Sequence, residues 1–248
     1  MFLRKLYSCW VIFAMAVFFL LFIIPLCICA LFPSLHRLAL KINYLWASGF
    51  FKLAFISIEK TWHFTPKKTQ RYILCANHFS YLDIPALGLF SYPFKFVGKS
   101  QLTSIPLFGF MYQRIHITVN RSSFRSRGET LEKARKVLEQ GFNLGFFPEG
   151  GILFKNYPEM VPFKDGAFRI AAESNTPIIP VTFPDNYRIL ADDNILDMKP
   201  GKCNVTYHEP IFPGGSSEED IKKLKDDVFR VIQSELYYHS QPSKENTV

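Results

Sequence analysis

The first 82 residues of this 248-residue chain hold a single acidic side chain, Glu59, and no charge of either sign lies between Leu6 and Leu35. Charged residues are scarce throughout (20%) while aromatics reach 16%, a balance that excludes a disordered chain. Cysteines number five, too few and too sparse for a disulfide scaffold. The six histidines are scattered without ligand spacing, so no metal site and no bound cofactor are expected. Internal repeats and low-complexity tracts are absent. The length allows one domain with an appendage and a core that needs no covalent staples.

Nine cations stand in that acid-poor third: Arg4, Lys5, Arg37, Lys41, Lys52, Lys60, Lys67, Lys68 and Arg71. They account for the whole net charge of +8, and the rest of the chain balances at 20 against 20. A nucleic-acid-binding protein more often spreads its cations over the folded domain among polar neighbours. Cations beside long apolar runs point instead to an anionic lipid surface. The partners expected are therefore membrane lipids, and no nucleic acid.

The 22 residues Val11–Phe32 are almost wholly apolar, and as a helix they extend roughly 33 Å, enough to cross a hydrocarbon layer of about 30 Å. The run is too long for the core of a cleavable signal, and no small-x-small site follows it. Pro25 and Pro33 kink or end this helix. A second apolar stretch, Leu38–Ile58, is interrupted by Lys41 and Lys52. It fits a membrane helix with snorkelling lysines, the favoured reading over the alternative of a core helix in a soluble domain, which periodicity alone does not separate. Basic residues flank the first helix on both sides, so the positive-inside rule sets no orientation. The expectation is two membrane helices within residues 1–60, either spanning or dipping into one leaflet. A folded domain over 61–238 and a polar tail over 239–248 follow.

After Pro66-Lys67-Lys68 short apolar runs alternate with amphipathic stretches. Arg71–Ala76, Phe94–Val97, Ile115–Val119, Leu144–Phe147, Ile178–Phe183 and Cys203–Tyr207 read as strands. Glu129–Gln140, Ala167–Ser174 and Glu218–Tyr237 read as helices, the first stopped by Gly141. Strands separated by helices predict an α/β fold with a mostly parallel sheet flanked by helices.

Three segments carry candidate chemistry. Asn77-His78-Phe79-Ser80-Tyr81-Leu82-Asp83 follows a strand directly, which places His78 at the carboxyl end of a sheet, where open α/β folds keep their ligands. Asp83, five residues on, can reach the far ring nitrogen and make His78 a general base. The same two residues also read as a helix cap and a satisfied core histidine. Phe147-Pro148-Glu149-Gly150-Gly151 again follows a strand, and Glu149 with its glycines suits close backbone approach to a ligand, or a plain turn. Arg114, Arg121, Arg125 and Arg127 offer forks suited to phosphate; for Arg125 and Arg127 a solvated loop is the simpler reading.

The blocks NHFSYLD, VNR, FPEGG and IIPV, in that order after apolar helices, resemble the 1-acylglycerol-3-phosphate acyltransferase family (lysophosphatidic acid acyltransferases and relatives), over roughly residues 70–210. The resemblance implies a glycerolipid acyltransferase-like fold, His78 and Asp83 as the catalytic pair, Arg121 as a phosphate ligand, and Glu149 with Gly150 at the glycerol phosphate. Asn77 and Lys99 join the substrate-binding set, Lys99 near the reacting centre. Ile178–Val181 corresponds to the fourth block. It further implies an acyl chain passing from acyl-coenzyme A or acyl-carrier protein, as co-substrate, to the free hydroxyl of a lysophospholipid acceptor, giving phosphatidic acid. Such donors are cytosolic, so the active site is expected to face the cytosol from a membrane, the cytoplasmic one in a bacterium. Gly151-Ile152 departs from the family's usual Thr or Ser followed by a polar residue. That opens a different lysolipid, such as one with an amino-acid head group. A non-catalytic lipid-binding protein and a hydrolase acting on water are the competing readings.

Overall fold

The computed structural model describes residues 2–119, 124–191 and 194–241, with the backbone alone for 124–127. Among them, seven strands form one sheet in the order β1-β7-β6-β2-β5-β3-β4. These are β1 Ser57–Trp62, β2 Ile73–Ala76, β3 Phe94–Lys99, β4 Ile117–Val119, β5 Asn143–Phe146, β6 Ile178–Thr182 and β7 Lys202–Tyr207. All pairings are parallel except β6 with β7. Helices α1 Phe2–Leu31, α2 His36–Leu53, α3 Asp83–Leu87, α4 Phe108–Ile115, α5 Phe124–Glu139, α6 Gly166–Glu173, α7 Asn186–Ile189 and α8 Glu218–Ser240 surround it.

Every residue of β2, β5 and β6 is buried, as expected of parallel strands covered on both faces. The strand period of two divides β2 between two cores. Leu74 and Ala76 pack with Phe50 and Phe51 of α2 and with Phe90. Ile73 and Cys75 pack on the other face against α5, α6 and α8, through Ala134, Phe168 and Val228. Helix α8 begins where Ser217 and Asp220 form a capping box, satisfying end donors that the helix itself cannot.

The amino-terminal third differs from the two membrane helices expected of it. Only α1, among the described residues, is long and apolar enough to cross a membrane. The second stretch is indeed helical, but Ala47, Phe50, Phe51 and Ala54 bury themselves in the core beside the sheet. Their spacing is i, i+3, i+4, i+7, one stripe of a helix, while Lys41, Asn43 and Lys52 interrupt the other faces. Burying each phenylalanine contributes about 1.5–3 kcal/mol, so α2 is held by the domain. Its chain then turns straight into β1, an edge strand paired with β7.

Helix α1 lies antiparallel on α2. Tyr7 Oη and Trp10 Nε1 donate to the carbonyls of Ala54 and Leu53, and a side chain at Gly49 would overlap the Phe18 ring. One end is tied to the domain by Arg4–Asp197 and by Met198 N donating to Ser8 Oγ. The other end packs Ile23, Leu26 and Ala30 against Met111 and Ile115 of α4. Its outward face is left apolar and exposed, from Phe2 and Leu6 through Phe13 and Leu20 to Ile24 and Leu31.

Candidate active site

The parallel strands deliver the turns after β2, β5 and β6 to one end of the sheet. Asn77, the first residue past β2, is fully buried; its amide donates to Phe183 O (3.0 Å) and accepts from Phe183 N (2.8 Å). Both of its polar ends are thus spent on clamping the ends of β2 and β6 together, an internal brace in a residue expected at the substrate.

The next residue is His78, with Nδ1 3.0 Å from Asp83 Oδ2. That oxygen also accepts the backbone N–H of Phe79 and of Ser80, each at 2.8 Å, and Asn186 Nδ2 donates to Oδ1 at 2.8 Å. Asp83 is wholly buried. With four donors converging on it, the carboxylate is an acceptor only, so the hydrogen between the pair sits on His78 Nδ1 and leaves Nε2 as the basic nitrogen. Among the described residues Nε2 has no protein hydrogen-bond partner. The imidazole face rests on Phe147, centroid to centroid 4.1 Å at 22°, which fixes the second rotational freedom of the ring.

Glu149 is 1% exposed. Its Oε1 accepts the backbone N–H of His78 at 2.7 Å and its Oε2 that of Val161 at 3.3 Å. Burial raises its carboxyl to about 7, against the downward pull of those two N–H groups and with the Asp83 charge adding to the rise. Glu149 therefore holds the backbone from which His78 projects. Gly150 follows at φ +89°, a conformation that favours glycine, closing a turn in which its N–H meets Phe147 O at 3.0 Å. Lys164 N donates to Pro148 O and joins the segment 163–168, which leads into α6, to this turn.

Lys99 ends β3 on the same side. A Cβ on Gly151 would lie 3.1 Å from Lys99 Nζ, so the ammonium rests against the turn that the absent side chain leaves open. It has neither an ion pair nor a hydrogen bond among the described residues. Arg121 lies outside the described residues, as do the side chains of Arg125 and Arg127. Arg114 is on α4, folded over Phe110 at 3.8 Å, and is no part of the cluster. Cys75 is sealed in β2, where burial pushes its thiol far up, and it offers no nucleophile.

The acyltransferase family model matches residues 61–184, half the chain, and includes β2, His78, Asp83 and the Glu149 turn. The chain belongs to the acyltransferase family. A 1-acyl-sn-glycerol-3-phosphate acyltransferase of Chlamydomonas reinhardtii is 29% identical over 211 residues, covering 83% of this chain and 62% of that one. The protein of that name from Haemophilus influenzae is 27% identical over 183 residues, covering 72% of this chain and 74% of its own. Against two chloroplast relatives, from Brassica napus and Arabidopsis thaliana, the chain spans about half their length. The crystal structure of the 1-acyl-sn-glycerophosphate acyltransferase PlsC from Thermotoga maritima superposes with a TM-score of 0.70 over 98% of both chains at 24% identity, a likeness of fold.

One member of the cluster has no signal in the sequence motifs: Asn186 stands 103 residues beyond Asp83. Phe147 lies in the FPEGG block, but its role against the imidazole shows only in the fold. Ser80, whose Oγ donates to Leu190 O at 2.7 Å, ties the same loop to the segment after α7.

Proposed function

We propose that this acyltransferase moves an acyl chain from an acyl thioester to the free hydroxyl of 1-acyl-glycerol-3-phosphate. The observation that carries the reading is His78 held between Asp83 and Phe147, with Nε2 left without a partner among the described residues. In the reaction the acceptor oxygen attacks the thioester carbonyl carbon while Nε2 takes the hydroxyl proton. The C–O bond forms, the carbonyl oxygen carries the charge, and collapse breaks the C–S bond. The imidazolium returns its proton to the departing thiolate. Asp83 stabilises the imidazolium in between, and Lys99, a cation without a partner among the described residues, suits the developing oxyanion or the acceptor phosphate. Coenzyme A and acyl-carrier protein both fit as the carrier.

The same reading places the enzyme on one leaflet. Because α1 is fastened to the domain near both of its ends, it cannot cross a bilayer without drawing the domain in. Its apolar face instead lies in the plane of the membrane, with Arg4 and Lys5 at the lipid head groups. The acceptor then arrives sideways from the bilayer and the donor from the cytosol.

The test is acyl transfer by membranes carrying the protein, with labelled acyl-coenzyme A and acyl-carrier protein and a panel of lysolipids. Product from 1-acyl-glycerol-3-phosphate that drops about 10²–10⁴-fold in His78→Ala is expected. Equal product from the variant would sink the mechanism, and product confined to another lysolipid would sink the acceptor.

A further inference from the structure

The end of the sheet opposite His78 gathers cations. Helix α5 closes there in a Schellman turn, with Gly141 at φ +84°, its N–H on Leu138 O and the N–H of Phe142 on Val137 O. Two guanidinium groups converge on Gly141. The position of a Cβ on that residue lies 3.1 Å from Arg37 Nη2 and 3.7 Å from both Nε and Nη2 of Arg71. Nε and Nη2 are one edge of the Arg71 fork, the edge that binds an oxyanion in two places. Among the described residues Arg71 spends only Nη1 on protein, toward Lys68 O and Gln70 O, and Arg37 gives one bond, to Gln140 O. Beside them lies Phe142, with the Arg37 guanidinium and the Lys95 ammonium each 4.8 Å from its ring centre. Lys95 is buried, its one hydrogen-bond partner His36 Nδ1 at 3.1 Å, and the other nitrogen of His36 is buried with no partner.

Among the described residues none of Arg37, Arg71 and Lys95 has an ion pair. The carboxyl end of α5 supplies about half a negative charge, a small offset to three full positive ones. Three cations call for an anion of more than one charge, and a phosphate monoester carries nearly two. Arg37 also lines, with Lys41, a groove of about 470 Å³ between α2 and β3 whose remaining wall is largely apolar, through Leu40, Phe90, Phe94 and Phe96.

We propose a second ligand site here, for a phosphate-bearing amphiphile: the phosphate on the Arg37–Arg71 pair, the chain in the groove between α2 and β3. The seven residues from Arg71 to His78 put it roughly 20 Å from the catalytic nitrogen, so it holds a lipid other than the one being acylated. The site itself does not rest on the acyl-transfer reading; only its distinction from the acceptor does.

Calorimetric titration of the full chain in neutral detergent tests it, using dodecyl phosphate and inorganic phosphate as probes. Arg37→Gln/Arg71→Gln is expected to lose one bound dodecyl phosphate per chain, with affinity at that site down about 10- to 100-fold. Its acyl-transfer rate and circular dichroism should match the parent. Arg37→Lys/Arg71→Lys keeps the charge and loses the fork; it should weaken binding about tenfold, and serves if the glutamine pair does not fold. Superimposable titrations of parent and both variants would overturn the site. Inorganic phosphate binding there as tightly as dodecyl phosphate would overturn the amphiphile and its groove.

Discussion

The two ends of the sheet handle charge in opposite ways. At the carboxyl end the side chains are acidic and their oxygens are occupied: Asp83 accepts four hydrogen bonds and Glu149 two. At the amino end the charges are basic and, among the described residues, without ion pairs: Arg37, Arg71 and Lys95 gather near Phe142. Saturated bonding fixes a geometry, which a proton-transferring histidine needs. Unsaturated charge leaves an attraction standing, which suits a site that waits for a ligand.

The largest effect should come from breaking the saturated end at Asp83, where two substitutions separate charge from shape. Asp83→Ala strips the acceptor from the buried N–H groups of Phe79 and Ser80. At about 1–3 kcal/mol for each stranded donor, the variant should lose several kcal/mol of stability as well as activity. Asp83→Asn is different, because Asn186 Oδ1 has no N–H or O–H partner, only the weak Cys203 thiol beside it. If the Asn186 amide turns over, that oxygen accepts from the new amide and the loop survives. Asp83→Asn should therefore keep its melting temperature within a few degrees while its turnover falls about 10²–10⁴-fold. Equal losses of stability in the two variants, measured by thermal denaturation, would show that Asp83 serves the fold alone.

Glu149 sharpens the comparison through pH. Its carboxyl is raised by burial to about 7, so ionising it costs stability in the folded state and not in the unfolded one. The contribution is present in full below the ordinary carboxylate range and is lost as pH rises through about 7. From pH 5 to pH 8 the parent should lose up to about 3 kcal/mol relative to Glu149→Gln, even though the variant starts lower for want of one backbone acceptor. Parallel melting curves over that interval would place the carboxyl in water.

Much of the His78 end is legible in the chain because its parts are local. Asp83 lies five positions after His78, the apolar run before them marks a parallel strand, and the glycines after Glu149 mark a turn. Asn186 is not legible, since contact across 103 residues leaves no spacing to read, and the internal roles of Asn77 and Glu149 appear only with their backbone partners. The destination of α2 was open for a physical reason: a helix stripe is the same whether a sheet or a bilayer covers it. The cation cluster shows in the sequence only as missing acids. Its members come from α2, the approach to β2, and β3, and the fold alone brings them to one ring.

The smallest expected effect lies where a free cation meets the saturated end. Lys99 rests against Gly151 with a Cβ-to-ammonium distance of 3.1 Å, closer than an ordinary contact, and the backbone at Gly151 is not of the kind only glycine adopts. Gly151→Ser should fold normally and displace the ammonium by a few tenths of an ångström. If Lys99 acts on the charge of the acceptor or of the transition state, so small a movement should change kcat/KM only about two- to tenfold. Lys99→Met should cost more, and in the double variant serine should add nothing further, because the group it displaces is gone. Additive losses in that double-mutant cycle would separate the two residues and leave Gly151 acting through the turn itself.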